Sequence, residues 1–196
     1  ANGADPALPK RVLSLPEPRV LARIKELWRE DRKPADIAVV LDVSGSMYDE
    51  GKLEQAQEGL LAFLGQLSAR DRVALVVFAD EPQLVQPLTE LGNDRRALEE
   101  RIKGLIADGG TSVYDAAASS VALVRKEGDP KRIRATVVLT DGIDNRSSAG
   151  LDDVIGLAGA NGGEGNGIRM FTIAYGSEAD VDGLKRLAEA FGGKAY

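Results

Sequence analysis

Asp36-Ile37-Ala38-Val39-Val40-Leu41-Asp42-Val43-Ser44-Gly45-Ser46 is an unbroken apolar run that empties into a polar turn. The consecutive apolar residues of Ile37–Leu41 leave no solvated face for a strand, so both faces should be covered. A parallel sheet with helices on either side meets that condition. The polar turn then falls at the carboxyl end of a buried strand. In an open α/β sheet this is the edge where ligands bind.

Further along the chain, Leu53, Ala56, Leu60, Phe63, Leu64 and Leu67 recur at helical spacing. Val73–Phe78 reads as the next strand. Leu84–Leu88, between Pro82 and Pro87, reads as a weaker strand that proline confines to a sheet edge. The link between these two is too short for a helix, so they should pair antiparallel. Helices are expected over Asn93–Lys103 and Ser112–Lys126, then a strand over Ile133–Leu139. A short helix over Leu151–Ala160 contains Gly156 and leads into a glycine-rich loop, Asn161–Gly167. A strand follows at Ile168–Ala174. Asp180–Phe191 predicts a helix with Val181, Leu184, Leu187 and Phe191 on one stripe, stopped by Gly192-Gly193. Lys194–Tyr196 reads as the start of a last strand. The expected fold class is α/β: a doubly wound, Rossmann-like three-layer sandwich. Its sheet is mostly parallel with one antiparallel edge strand, and helices lie on both faces.

Before Asp36 the composition changes. Pro6, Pro9, Pro16 and Pro18 discourage regular structure. Val20–Glu30 predicts a helix with Val20, Leu21, Ile24, Leu27 and Trp28 on one face, ended by Pro34. The expected division is a linker plus packing helix over 1–34 and one domain over 35–196. The chain opens on Ala1 and carries no signal peptide, so it reads as an excised or processed piece.

Composition removes several function classes. There is no histidine and no cysteine. That excludes Ser-His-Asp and Cys-His nucleophilic catalysis, thiolate chemistry and an ordinary zinc site. The net charge is −6 with no basic stripe, so nucleic acid is not expected as a partner. No apolar run approaches the roughly 20 residues that span a bilayer.

Three polar motifs remain: Asp42-Val43-Ser44-Gly45-Ser46, Gly109-Gly110-Thr111 and Thr140-Asp141-Gly142. The fold delivers them to one sheet edge. Asp42 and Asp141 supply two carboxylates; Ser44, Ser46 and Thr111 supply three hydroxyls. An oxygen-only set of this kind suits a hard divalent cation, with water completing the shell. Each motif also has a plain structural reading. Asp42 and Ser44 fit a turn or helix cap, Ser112 with Asp115 has capping-box spacing, and Thr140-Asp141-Gly142 fits a strand-ending turn.

Together these residues resemble the metal-ion-dependent adhesion site of von Willebrand factor type A domains. The resemblance runs from about Asp36 to Tyr196. It also rests on Phe78-Ala79 at a strand end, on Asp115-Ala116 after Thr111, and on Phe171–Gly176. It implies hydroxyl ligands at Ser44, Ser46 and Thr111, with Asp42 and Asp141 acting directly or through water. Magnesium is the implied ion, with manganese or calcium as alternatives. Trp28 before Pro34, Asp144-Asn145 after the third motif and Ile173-Ala174-Tyr175-Gly176 resemble a bacterial subgroup. That subgroup is found in surface or periplasmic proteins, where the domain follows a solute-binding domain. The likeness thus implies an extracellular, cell-surface or periplasmic location. It also implies a final helix beyond Tyr196, which is missing here.

The function implied is non-enzymatic: a metal-dependent protein-binding module in which a partner's acidic side chain completes the coordination. Tyr48, Asp49, Glu50, Tyr114, Asp144, Asn145 and Arg146 are the candidate specificity residues around the pocket. Asp49, Glu50, Asp108 and Asp144 add negative charge there, so the partner carboxylate should carry basic flanks. Two alternatives stay open. One is a structural domain that binds metal only for stability. The other is magnesium-dependent phosphoryl transfer of the haloacid dehalogenase type. That chemistry wants a second aspartate where Ser44 stands.

Overall fold

A computed structural model describes residues 19–20, 32–159, 167–176 and 178–196. The chain divides into two compact units, Ala1–Arg32 and Lys33–Tyr196. Of the helix expected over Val20–Glu30 only Val20 is described, and most of the glycine-rich loop lies outside the described residues. All that follows concerns the second unit. No helix among the described residues is long and apolar enough to cross a membrane.

Five strands form one sheet: β1 (Ala35–Asp42), β2 (Arg72–Phe78), β3 (Pro82–Glu90), β4 (Ile133–Thr140) and β5 (Arg169–Ala174). Among the described residues five helices flank it: α1 (Lys52–Gln66), α2 (Leu91–Lys103), α3 (Val113–Glu127), α4 (Leu151–Gly159) and α5 (Val181–Ala190). A 3-10 segment, Gly45–Gly51, joins β1 to α1. The strand order is β3-β2-β1-β4-β5. Only β2 and β3 are antiparallel, joined by the short link at Ala79–Glu81. The edge position of β3 leaves Pro82 and Pro87 without a second strand to satisfy.

All eight residues of β1 are buried. Their side chains alternate between two cores. Ala38 and Val40 pack with Ala116, Ala117, Val121 and Val124 of α3 and with Leu184 and Leu187 of α5. Ile37, Val39 and Leu41 pack with Leu53, Ala56, Leu60 and Leu64 of α1 and with Leu98 and Ile102 of α2. This period-two division gives helix, sheet and helix layers. Helix α2 begins at Leu91 rather than the expected Asn93. The Asp71 and Ala69 carbonyls accept the Leu91 and Gly92 amides, so β3 runs straight into the helix.

At the amino-terminal edge, the buried Asp36 carboxylate gathers three partners from distant segments. Arg72 Nε donates at 2.8 Å and the Asp129 amide at 2.7 Å, and Arg132 Nε lies 2.6 Å away. The cluster clasps β1, β2 and the loop before β4.

Lys194–Tyr196 adds a short parallel pairing beyond β5. Thr172 N donates to the Lys194 carbonyl, Tyr196 N to Thr172 and Ala174 N to Tyr196. Gly193 permits this approach, because a Cβ there would sit 1.7 Å from the Met170 carbonyl oxygen. Gly193→Ala should therefore detach the pairing. Hydrogen exchange should speed up at the Thr172, Ala174 and Tyr196 amides while the β1 amides stay protected. Unchanged exchange at all three would contradict this.

Candidate metal and partner site

The chain leaves β1 toward β2 and β3 on one side, and reaches β4 and β5 on the other. The ends of β1 and β4 thus form the switch point of the sheet, where adjacent loops diverge and leave a crevice. Asp42 ends β1 and Thr140 ends β4.

Asp42 is buried, and both carboxylate oxygens are engaged. Oδ1 accepts the Ser44 amide at 2.8 Å, and Oδ2 accepts the Thr140 hydroxyl at 2.5 Å. Ser44 Oγ lies 3.2 Å from Ser46 Oγ, and Ser46 Oγ donates to Asp141 Oδ1 at 2.7 Å. Asp42, Ser44, Ser46 and Asp141 are therefore linked through side chains and one backbone amide. Burial pushes the Asp42 carboxyl pKa up and the Asp141 charge adds to the rise, although hydrogen bonds from Ser44 and Thr140 oppose it.

Backbone hydrogen bonds bring the Thr111 loop to the same place. Gly45 N donates to the Gly109 carbonyl and Asp108 N to the Val43 carbonyl. On the other side, Asn145 N and Arg146 N donate to the Thr111 carbonyl, and Thr111 N donates to Asn145 Oδ1. Gly142 keeps the space between the loops open. A Cβ there would lie 3.4 Å from Thr111 Oγ1 and 3.9 Å from Ser46 Oγ. The five residues Asp42, Ser44, Ser46, Thr111 and Asp141 thus share one edge. Thr111 joins the others through this gap and the third loop rather than by a direct bond. Among the described residues no three of His, Cys, Asp and Glu cluster as a metal site. The two carboxylates and three hydroxyls fit a hard ion instead.

The capping reading of the second motif is not realised. Ser112 precedes α3 but its side chain makes no cap bond. The Asp115 carboxylate instead accepts the Ser148 and Ala149 amides, which ties α3 to the third loop.

Lys52 escaped the sequence reading, and Thr140, quoted in the third motif, had been given no role of its own. Thr140 orients Asp42, as described. Lys52, the first residue of α1, places Nζ 2.6 Å from Asp141 Oδ2. The Asp141 hydrogen bond holds the lysine pKa above its usual value. A signal for Lys52 was available: a cation in the first turn opposes the helix dipole, so it calls for a carboxylate partner.

The specificity candidates divide. Tyr48, Asp49 and Glu50 face solvent on the 3-10 segment. Asp144 is spent on internal bonds, accepting the Tyr114 amide at the start of α3 and the Ser147 amide and hydroxyl within its own loop. The Tyr114 hydroxyl reaches Asp180 at 3.5 Å. Asn145 holds Thr111, and Arg146 pairs with Asp80 at 3.0 Å. An open cleft of about 980 Å³ starts at Ser46, Thr111, Gly142 and Asn145 and continues along Ile143 to Glu178, Asp180, Val181 and Asp182. Of the candidates, Asn145 alone is among its lining residues. The acidic wall at Glu178–Asp182 was not foreseen.

A family model described as von Willebrand factor type A domain matches residues 37–143, a span that contains all five candidate ligands. An uncharacterized protein of Borreliella burgdorferi is 31% identical over 152 residues, covering 74% of this chain and 42% of that protein. Human inter-alpha-trypsin inhibitor heavy chain H4 is 29% identical over 180 residues, covering 83% of this chain and 18% of that protein. The chain thus spans less than half the length of either relative. Among solved structures, a von Willebrand factor type A protein from Catenulispora acidiphila superposes with a TM-score of 0.70 at 22% identity, covering 83% of this chain and 38% of the other. Proximal thread matrix protein 1 from the mussel byssus, with a zinc-occupied MIDAS motif, gives 0.67 at 17% identity, covering 84% and 44%.

Proposed function

The chain belongs to the von Willebrand factor type A domain family, and from that premise we propose that it is a divalent-metal-dependent protein-binding module. Asp42, Ser44, Ser46, Thr111 and Asp141 would hold the ion, with magnesium as the first candidate. The bound ion would supply an electrophilic centre for a partner's carboxylate. The observation that carries this reading is the convergence of those five oxygen-bearing side chains at the sheet's switch point. Three of the five donors are neutral hydroxyls, so an incoming carboxylate would add a charge-assisted, oriented contact to the ion's shell.

The lining of the cleft supports a reading of the partner's chemistry. Its far wall carries Glu178, Asp180 and Asp182, with Ile143 and Val181 exposed beside them. Asp180 is occupied in capping α5 through the Gly183 amide, which leaves Glu178 and Asp182 as the outward charges. The partner would present an acidic side chain to the metal and a Lys or Arg toward this wall. Phosphoryl transfer is disfavoured because Ser44, a neutral residue, stands where the second carboxylate would be needed.

Calorimetric titration of metal-stripped protein with magnesium, manganese and calcium tests the site. One-site binding is expected, and it should be lost in Asp42→Ala and weakened in Ser44→Ala. Binding that both variants retain would overturn the assignment. Turnover of a generic phosphate ester that disappears in Asp42→Asn would instead revive the enzymatic alternative.

A further inference from the structure

We propose that Lys52 is a built-in counter-charge that weakens the site's hold on its metal and strengthens the metal's pull on a partner carboxylate. The inference rests on the binding-module reading above and adds a residue to it.

Lys52 is not a surface lysine that happens to reach inward. Gly51, at a φ of 65°, turns the chain so that α1 starts against the site. Gly176, at a φ of 72°, lines the path of the lysine stem. A Cβ on Gly176 would come 3.5 Å from Lys52 Cε and 3.8 Å from Nζ. The side chain is 16% exposed and the Asp141 carboxylate is fully buried. The two Asp141 oxygens are divided, with Oδ1 on the Ser46 hydroxyl and Oδ2 on Lys52. Lys52 therefore occupies one oxygen and leaves the other on the side of Ser44, Ser46 and Thr111.

The charge balance follows from these contacts. Asp42 and Asp141 alone would neutralise a divalent ion. With Lys52 the protein's groups sum to a single negative charge, and the loaded site keeps one positive charge. Glu50 and Glu178 also act on Lys52 electrostatically, but neither bonds to it directly. The lysine repels the metal. It also leaves the loaded site a net cation that an external carboxylate can neutralise. Metal alone should then bind weakly, and metal and carboxylate should reinforce one another.

The test uses the whole chain, with Mn2+ as the metal probe and acetate as the carboxylate probe. Mn2+ affinity is measured by calorimetry. Acetate binding to the loaded protein is read from water-proton relaxation, as acetate displaces metal-bound water. Lys52→Met should bind Mn2+ about tenfold more tightly and need about tenfold more acetate, the order of effect a nearby unit charge has on a carboxylate's proton affinity. Lys52→Arg keeps the charge and should fall closer to wild type in both readouts. Lys52→Gln provides a second neutral variant should Lys52→Met fail to fold. A lysine that merely props Asp141 would give the opposite sign, with metal binding weakened on its removal. If wild type binds Mn2+ and Asp42→Ala does not, yet both neutral variants bind Mn2+ equally or less tightly, the Lys52 inference is overturned and the site stands. If wild type and the neutral variants all bind no Mn2+, the metal reading falls and takes this inference with it.

Discussion

Asp36→Ala should lower the unfolding free energy by about 3–5 kcal/mol, the usual cost of removing one partner from a buried ion pair. For a chain of this length that corresponds to a fall of roughly 6–20 °C in melting temperature. The Asp36 side chain is fully buried, whereas Arg72 and Arg132 keep 24% and 16% exposure. Arg72 also reaches the Glu127 carbonyl, and Arg132 reaches those of Ala35 and Arg70. The arginines thus retain acceptors, which favours the lower end of the range. The Asp129 amide is left without the acceptor it has in the native fold.

The effect should depend on pH in a definite direction. Burial pushes the Asp36 pKa up, but the Arg72 hydrogen bond, the Asp129 amide and the arginine charges outweigh it. The folded value therefore lies below the ordinary 3.8. A carboxyl depressed in the folded state contributes its full stability above the unfolded pKa and loses it as pH falls through the folded one. Urea titrations of wild type and Asp36→Ala at pH 7 should differ widely, and those at the acid end should converge. A constant gap down to pH 2 would show that packing, rather than charge, carries the loss.

Asp42→Asn should separate stability from metal binding. In metal-free protein at pH 7 it should melt at or above wild type. Burial and the Asp141 charge raise the Asp42 pKa in the fold, so keeping the group ionised at neutral pH costs stability. An asparagine still accepts the Ser44 amide through its oxygen and can donate to Thr140 through its nitrogen. With magnesium at about 100 times its Kd, wild type should gain about 2.7 kcal/mol by mass action. That corresponds to roughly 5–11 °C. The variant should gain none. Scanning calorimetry with magnesium and with EDTA checks both halves, and an equal magnesium shift in the two proteins would refute the ligand role of Asp42.

Much of this molecule was legible along the chain. The Ile37–Leu41 run foretold a central strand buried on both faces, and Pro82 and Pro87 foretold an edge strand. The short connection from Val73–Phe78 to Leu84–Leu88 foretold the antiparallel pair, and the strand itself begins earlier, at Pro82. Four ligand candidates, Asp42, Ser44, Ser46 and Asp141, were legible for a related reason, since they follow β1 and β4, whereas Thr111 lies between two helices and reaches the edge through its loop contacts. In a doubly wound sheet the end of every parallel strand faces the same edge, so a motif's place in the strand-helix alternation also gives its place in space. Local periodicity and connection length therefore determined the fold class and the edge where the polar motifs gather.

Tertiary structure decided which charges meet there. Lys52 and Asp141 lie 89 residues apart, and Asp36 and the Asp129 amide 93 apart. Thr140 and Asp42 are separated by 98 residues. The acidic wall at Glu178–Asp182 faces the cleft because the loop after β5 passes beside Gly142 and Ile143. Hydrophobic periodicity reports which face of an element is buried, but not which side chain from another element will lie against a given carboxylate. That pairing depends on the register and packing of segments distant in sequence, so the charge of the site became readable only once the chain was folded.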